Sequence, residues 1–369
     1  MNRYLFLLLL LAALAQTVAG RAEKPPVRFA IVGLVHDHAR GFLPSTAARQ
    51  DVELVAVVEP DRGLAQRYAR EYRLREDLFH VDLERMLDEI RPQAVATFTS
   101  TYDHRRVVEA CAKRGVHVMM EKPLAVGMEH ARAIEAAARR GGIHVVVNFE
   151  TTWYPANHAA YALVHEEAKI GELRKMVVHD GHQGPKEIGC TPAFLEWLTD
   201  PVLNGGGALT DFGCYGANLI TWLMREQRPT SVFAVTQQIK PDVYPKVDDE
   251  ATIVLTYPKA QGIIQASWNW PYNRKDMDVY GSAGYVRVPN ARQMRWRLGN
   301  GAEADAPVPS LTAPYHDPLS YLAAVVRGEI QPSGLSSLKV NLIATEILDA
   351  ARKSARTGKA VALPSRPRQ

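Results

Sequence analysis

The sequence predicts two domains of different class: an α/β domain built on a parallel sheet, followed by an α+β domain with a large, open, mainly antiparallel sheet. Three observations predict it. The chain has 369 residues, 47% hydrophobic and 23% charged, which exceeds the roughly 250–300 residues at which a single core stops growing. Up to about Asn148, short β-rich apolar runs alternate with stretches of helical periodicity. Beyond Asn148, strand-like runs follow one another across short polar or glycine turns.

The elements follow in order. Arg3, an apolar run from Leu5 to Leu14 and the small residues Ala19, Gly20 and Ala22 read as a signal peptide over residues 1–22, with no twin arginine and no lipid-accepting cysteine. That run is shorter than the ~20 residues a bilayer span needs, so the mature chain is expected to be periplasmic or secreted by a Sec-type route, without a membrane span. Residues 23–148 form the first domain. Its strands are expected at 28–33, 53–59, 94–98 and 116–120, with helices at 64–72, 83–90 and 105–114, the last stopped by Gly115. This alternation gives a parallel sheet with helices on both faces. Residues 149–369 form the second domain. Strands are expected at 173–179, 231–238, 251–257, 262–270, 277–281, 285–289 and 294–298, helices at 155–167, 215–224, 318–327 and 335–356, and a loop at 302–314.

Composition narrows the partners. Forty-four basic and 40 acidic residues leave a net charge of +4 with no basic block longer than pairs such as Arg139-Arg140, so nucleic acid is not expected. Of the three cysteines, Cys111 reads as a small core residue, while Cys190 and Cys214 could pair in an oxidising compartment.

The first strand ends at Gly33 and leads into a helix, which is where a dinucleotide pyrophosphate sits on a helix N-terminus. Measured against G-x-G-x-x-G, the segment Gly33-Leu34-Val35-His36-Asp37-His38 keeps the first glycine only; Val35 and His38 occupy the other two positions. Glu59 closes the second strand near the spacing at which an acid binds the ribose hydroxyls, favouring NAD, with Arg62 leaving NADP open.

Glu121-Lys122-Pro123 at the end of the fourth strand is the most specific signal. With Gly205-Gly206-Gly207 leading to Asp211 and Tyr215, and with Thr99-Ser100-Thr101-Tyr102-Asp103-His104, the chain resembles the glucose–fructose oxidoreductase, inositol dehydrogenase and rhizopine-catabolism family (Gfo/Idh/MocA) from about Val27 to Leu363. Ser100 stands where the family usually has proline. The resemblance implies a Rossmann domain, NAD as cofactor, and a hydroxyl of a sugar, sugar acid or cyclitol as the reacting group. It implies that Lys122 holds the reacting hydroxyl, that Asp211 orients the substrate, and that Tyr215 replaces the acid/base histidine of most members. A phenol becomes a base only where a neighbouring cation lowers its pKa, and Lys122 is the expected cation. The Lys122-Pro123 bond is expected to be cis. Cofactor contacts are expected from Gly33, Val35, His36, His38, Glu59, Thr99, Ser100, His104, Glu121 and Lys122, and substrate contacts from Trp153, Tyr154, Asn157 and His182.

Export raises a difficulty, because free dinucleotides are scarce outside the cytoplasm; a tightly held cofactor, recycled within each turnover, resolves it. Two other readings follow from the same residues: a redox-neutral NAD-dependent glycoside-cleaving enzyme, and a non-catalytic carbohydrate-binding protein that has lost the cofactor. A metal site gathering His36, His38, His179, Asp180 and His182 is conceivable, but phosphate or sugar hydrogen bonds are the preferred use and no metal is expected. Trp268 and Trp270 are expected on one strand face, in the core or at an interface, and by the resemblance a dimer or tetramer forms through the open sheet.

Overall fold

Residues 24–363 are described by the computed structural model; the expected signal peptide lies outside them. Six parallel strands form the first sheet: β1 Val27–Val32, β2 Val52–Val58, β3 Phe79–His80, β4 Ala94–Thr97, β5 His117–Glu121 and β6 Val145–Asn148, in the spatial order β3-β2-β1-β4-β5-β6. β4 is buried along its whole length, and β1 at all but one position, as a sheet covered by helices on both faces requires. β6, the two-residue β3 and the helix Met128–Gly141 add to the expected elements. Local chemistry sets the helix starts: Asp61 accepts from the amides of Gly63 and Leu64, and Asp82 from that of Arg85.

The second sheet has nine strands: β7 Leu173–Gly181, β8 Ser231–Gln237, β9 Glu250–Thr256, β10 Gln261–Ser267, β11 Arg274–Gly281, β12 Gly284–Asn290, β13 Gln293–Leu298, β14 Ala304–Ala306 and β15 Val361–Ala362. Their order is β14-β13-β12-β11-β7-β10-β9-β8-β15. Every pair is antiparallel except β7 with β10. β14 falls inside the stretch expected to be a loop, because residues 304–306 still pair with β13. Alternation in β9 and β10 puts Ala251, Ile253 and Leu255 beside Ile264 and Ala266, on the face covered by the helices Gly213–Leu223 and Leu338–Thr357.

The chain beyond residue 317 returns to the first domain. Leu319, Leu322 and Val325 of the helix Pro318–Val326 join the apolar cluster of Val27, Phe29 and Ile31. Asp349 of the last helix accepts from the Met128 amide and Arg352 donates to the Val126 carbonyl, so the loop after Lys122 is fastened from the C-terminal side.

Candidate active site

At the carboxyl ends of β1, β4, β5 and β6 the chain forms the crevice where doubly wound sheets bind ligands, beside the reversal of strand order between β1 and β4. Gly33 opens it. Its φ of +82° and the 2.6 Å that would separate a Cβ from Thr99 Cγ2 leave glycine as the residue that fits. Leu34 N–H then donates to Glu59 Oε2 at 2.8 Å, and Asp61 N–H to Glu59 Oε1 at 2.9 Å, so Glu59 braces the loop from beneath. Val35 is half-buried, and its carbonyl accepts from Trp197 Nε1 at 3.2 Å. His36 is buried against Phe194 and Trp197, and its Nδ1 accepts the His38 amide. His38 Nδ1 meets Glu121 Oε2 at 2.8 Å.

Asp37 precedes the helix His38–Thr46 but does not cap it; its carboxylate accepts from Thr191 N at 2.8 Å and Thr191 Oγ1 at 2.7 Å. Thr191 starts the helix Pro192–Leu198, which carries Phe194 and Trp197. One short helix of the second domain therefore clasps the loop 33–38. This helix is not among the expected elements, because seven residues carry too little periodicity to read.

Across the crevice, Thr99 and Ser100 follow β4, and Ser100 Oγ bonds Asp103 to fix the turn in place of a proline. His104 is 1% exposed and its Nδ1 meets the Leu124 carbonyl at 3.3 Å, so it supports the turn after Lys122 from within the core. Burial lowers its pKa to about 4. The sign follows: between pH ~6.5 and about 4 the unfolded chain binds a proton that the folded one refuses, so stability falls as pH drops through that window. We expect denaturant midpoints to decline from pH 6.5 to pH 4.5, with a shallower decline in His104→Asn.

Asn148, paired with Glu121 across β5 and β6, donates to Glu121 Oε1 at 2.8 Å and accepts from Trp153 Nε1 at 2.9 Å. Trp153 thus supports Glu121, with its ring edge-on to Tyr321.

Lys122 enters through the cis peptide to Pro123, as expected. It is 6% exposed, and its Nζ lies 2.5 Å from Asp211 Oδ1. Asp211 is placed by the glycine run. A Cβ on Gly207 would sit 1.8 Å from the Asp248 carbonyl, and the Asp248 carboxylate accepts from Gly207 N and Leu209 N, which starts the turn Ala208–Asp211. The second Asp211 oxygen accepts from Trp268 Nε1 at 3.0 Å. Burial opposes both charges, yet each holds the other: the Asp211 carboxyl lies below its ordinary range and the Lys122 ammonium above its own.

One turn further along, Tyr215 is 1% exposed, edge-on to Phe149, with Lys122 Nζ 5.3 Å from its ring centre. The cation at its hydroxyl is a different one. Lys275 Nζ stands 3.5 Å from Tyr215 Oη and 2.6 Å from Glu150 Oε2. The expectation that Lys122 lowers the Tyr215 pKa is corrected: burial first, then Asp180 and Glu150, push it well above the usual phenol range, because the Lys122 charge is taken by Asp211. Asp180 is also buried, and burial raises its carboxyl well above the ordinary value. Tyr154 donates to Glu150 Oε1 at 2.5 Å, and lines a small cavity with Asn157, Asp180 and Lys275. Asn157 is otherwise committed to the Thr151 carbonyl. His182 meets Phe212 edge-on and accepts from Gly184 N; burial lowers its pKa, so it stands neutral.

Other expectations resolve differently. The three cysteines are free thiols, and Cys214 Sγ donates to the Asp211 carbonyl instead of meeting Cys190. His36 and His38 converge on Glu121, with ligand atoms within 4.8 Å of one another, while His179 pairs with Asp276 and stays apart from them. Trp268 is a core residue with a polar task on Asp211; nothing in its sequence neighbourhood signals that role. Lys275 and Glu150 were also missed. The one signal for Lys275 is a lysine at a core-facing position of an alternating strand.

Two models of one family match the chain: an oxidoreductase family with an NAD-binding Rossmann fold over residues 27–149, and the GFO/IDH/MocA C-terminal domain over residues 158–287. Among curated relatives, trans-1,2-dihydrobenzene-1,2-diol dehydrogenase of Sus scrofa is 25% identical over 65% of this chain and 67% of its own. The scyllo-inositol 2-dehydrogenase (NAD(+)) of Bacillus subtilis is 24% identical over 91% of this chain and 96% of its own. The crystal structure of aldose-aldose oxidoreductase from Caulobacter crescentus, complexed with glycerol, shares the fold with a TM-score of 0.77 at 24% identity, covering 92% of this chain and all of that one.

Proposed function

Since the chain belongs to the Gfo/Idh/MocA family of oxidoreductases, we propose that it interconverts a secondary hydroxyl and a ketone on a sugar or cyclitol, outside the cytoplasm, with a tightly held NAD. The observation that carries this reading is the buried Lys122–Asp211 pair beside the Tyr215 ring, at the mouth of the nucleotide crevice. A pair of ions so fully desolvated is a poor way to stabilise a fold and a good way to bind a hydroxyl.

The residues at hand fit a dinucleotide. Gly33 lets the chain turn tightly, the helix His38–Thr46 begins without a side-chain cap, and His36 Nε2 is a buried polar atom without a protein partner. Gly33 to His38, Thr99 and Ser100 would hold the cofactor, with Glu59 fixing the loop and Glu121 fixing His38 from behind, and the cofactor when bound supplies the hydride acceptor. Lys122 then fixes the reacting oxygen, Asp211 orients it, and Tyr215 moves its proton. Both cations of the site are matched, Lys122 by Asp211 and Lys275 by Glu150, which favours a neutral polyol over a sugar acid.

Retention of the cofactor is supported by the clasp of Thr191 and Trp197 on Asp37 and Val35. Trp197→Ala is expected to release NADH at least tenfold faster in a stopped-flow fluorescence chase, because opening the clasp no longer costs the hydrogen bond to the Val35 carbonyl and the ring contact with His36. Phe233 and Val235, 39% and 52% exposed on the outer face of β8, support assembly of copies through the open sheet. The function itself is tested by offering neutral aldoses and inositols to the NAD-loaded protein. Formation of reduced nicotinamide, or single-turnover exchange between two sugars, is expected; inertness toward the whole neutral set, with turnover of a uronic acid, would overturn the substrate class.

A further inference from the structure

β7 and β11 bring an unusual pair onto the core-facing side of the second sheet. Lys275 lies directly opposite Asp180 in the ladder, on the face that elsewhere carries Met176, Val178, Met277 and Val279. Cross-strand partners have Cβ atoms about 5 Å apart, so the two groups share one small space beneath the helix Gly213–Leu223. Apolar residues there would cost nothing, whereas a half-buried lysine and a buried carboxyl must be desolvated and matched. Lys275 is matched in one direction only: its Nζ reaches Tyr215 Oη at 3.5 Å and Glu150 Oε2 at 2.6 Å, and sits 4.4 Å from the Tyr215 ring centre. Glu150 is the outlet, because its side chain is 53% exposed while Tyr215 is 1% exposed.

We propose that Lys275 and Glu150 are the proton path of Tyr215, linking its buried hydroxyl to solvent. This rests on the reading of Tyr215 as the group that moves the substrate proton. When the alcohol is oxidised, the Lys275 ammonium first gives a proton to the Glu150 carboxylate, which passes it on to water; the vacated lone pair of Nζ then takes the phenol's own proton as the substrate O–H proton passes to Tyr215 Oη and the hydride leaves for NAD. Lysine and tyrosine end as they began, and one proton has left. Reduction of a ketone runs the same path inward. Lys122 cannot serve, since Asp211 holds it. Burial opposes the charge of Lys275, but Asp180 and Glu150 outweigh it and keep the ammonium protonated, so it hands protons on instead of storing a vacancy. The groups that face this path are Asp180 from β7, Glu150 from the turn before Pro155, Lys122 from the end of β5, and Asp211 and Cys214 from the segment leading into the Tyr215 helix.

The test uses the full mature chain carrying tyrosine labelled with carbon-13 at the ring ζ position, with the Tyr215 signal assigned by its loss in Tyr215→Phe. In the native protein the signal is expected to move in a step at alkaline pH as Lys275 loses its proton. Glu150→Gln should bring that step down by about one pH unit, and Lys275→Met should abolish it. A signal whose titration is the same in all three proteins overturns the proposal. A kinetic arm with scyllo-inositol and NAD+ separates the two claims. Lys275→Met and Glu150→Gln are expected to lower kcat by about 10- to 100-fold, with Lys275→Arg recovering part of the loss. An inactive Tyr215→Phe beside a fully active Lys275→Met defeats the path alone; a fully active Tyr215→Phe defeats the reading on which it rests.

Discussion

Replacing Lys122 by methionine is expected to lower turnover by about 10²- to 10⁴-fold and to destabilise the fold by roughly 3–5 kcal/mol. The two losses have separate causes. Activity falls because the hydroxyl loses the ammonium that fixes its oxygen. Stability falls because Asp211, 4% exposed, keeps its charge with only the Trp268 indole N–H and its surroundings to answer it. A double variant, Lys122→Met with Asp211→Leu, separates them: removing both ions should recover most of the melting temperature, since a buried pair is often replaceable by apolar groups, and should recover none of the turnover. Calorimetry and steady-state kinetics on the same three proteins check this.

Tyr215→Phe should behave in the opposite way, losing activity by about 10²- to 10⁴-fold while stability changes by about 1 kcal/mol or less. The phenylalanine ring keeps the edge-on contact with Phe149 and the place beneath Lys275, so packing is unchanged. Only Oη is lost, and with it the stop between the substrate and Lys275. NAD affinity should be unaltered, because no cofactor contact is expected from this residue. Unchanged melting with collapsed kcat is the signature; equal loss of both would place Tyr215 in the scaffold.

Much of the fold was legible because its periodicities are strong. The mainly apolar runs of β1, β2, β4 and β5, alternating with helices, point to a covered parallel sheet, and the alternation in β9 and β10 to a half-covered one. What escaped lies where sequence carries no period: the two-residue β3, the three-residue β14 and the helix Pro192–Leu198. Within the site, Lys122, Asp211 and Tyr215 were legible through family motifs, each on a continuous segment. Trp268, Lys275 and Glu150 were not, since their roles arise from strand register and chain return. Lys275 and Glu150 are 125 positions apart in sequence and meet only because β11 pairs with β7 beside the turn that follows β6. The same cause explains the wrong cation: from sequence Lys122 was the sole cation near Tyr215, whereas the fold gives Lys122 to Asp211 and brings Lys275 to the phenol.

Val35 and His38 put the greatest weight on the cofactor, so the central claim is best tested there. The purified protein is denatured, and the supernatant is assayed for NAD and NADP, with a parallel titration of the refolded chain. A stoichiometric release of NAD, retained through purification by the clasp at Asp37 and Val35, is the expected result. Neither release nor binding of either dinucleotide would contradict the account, and would leave Lys122, Asp211 and Tyr215 as a polyol-binding cleft without a redox partner.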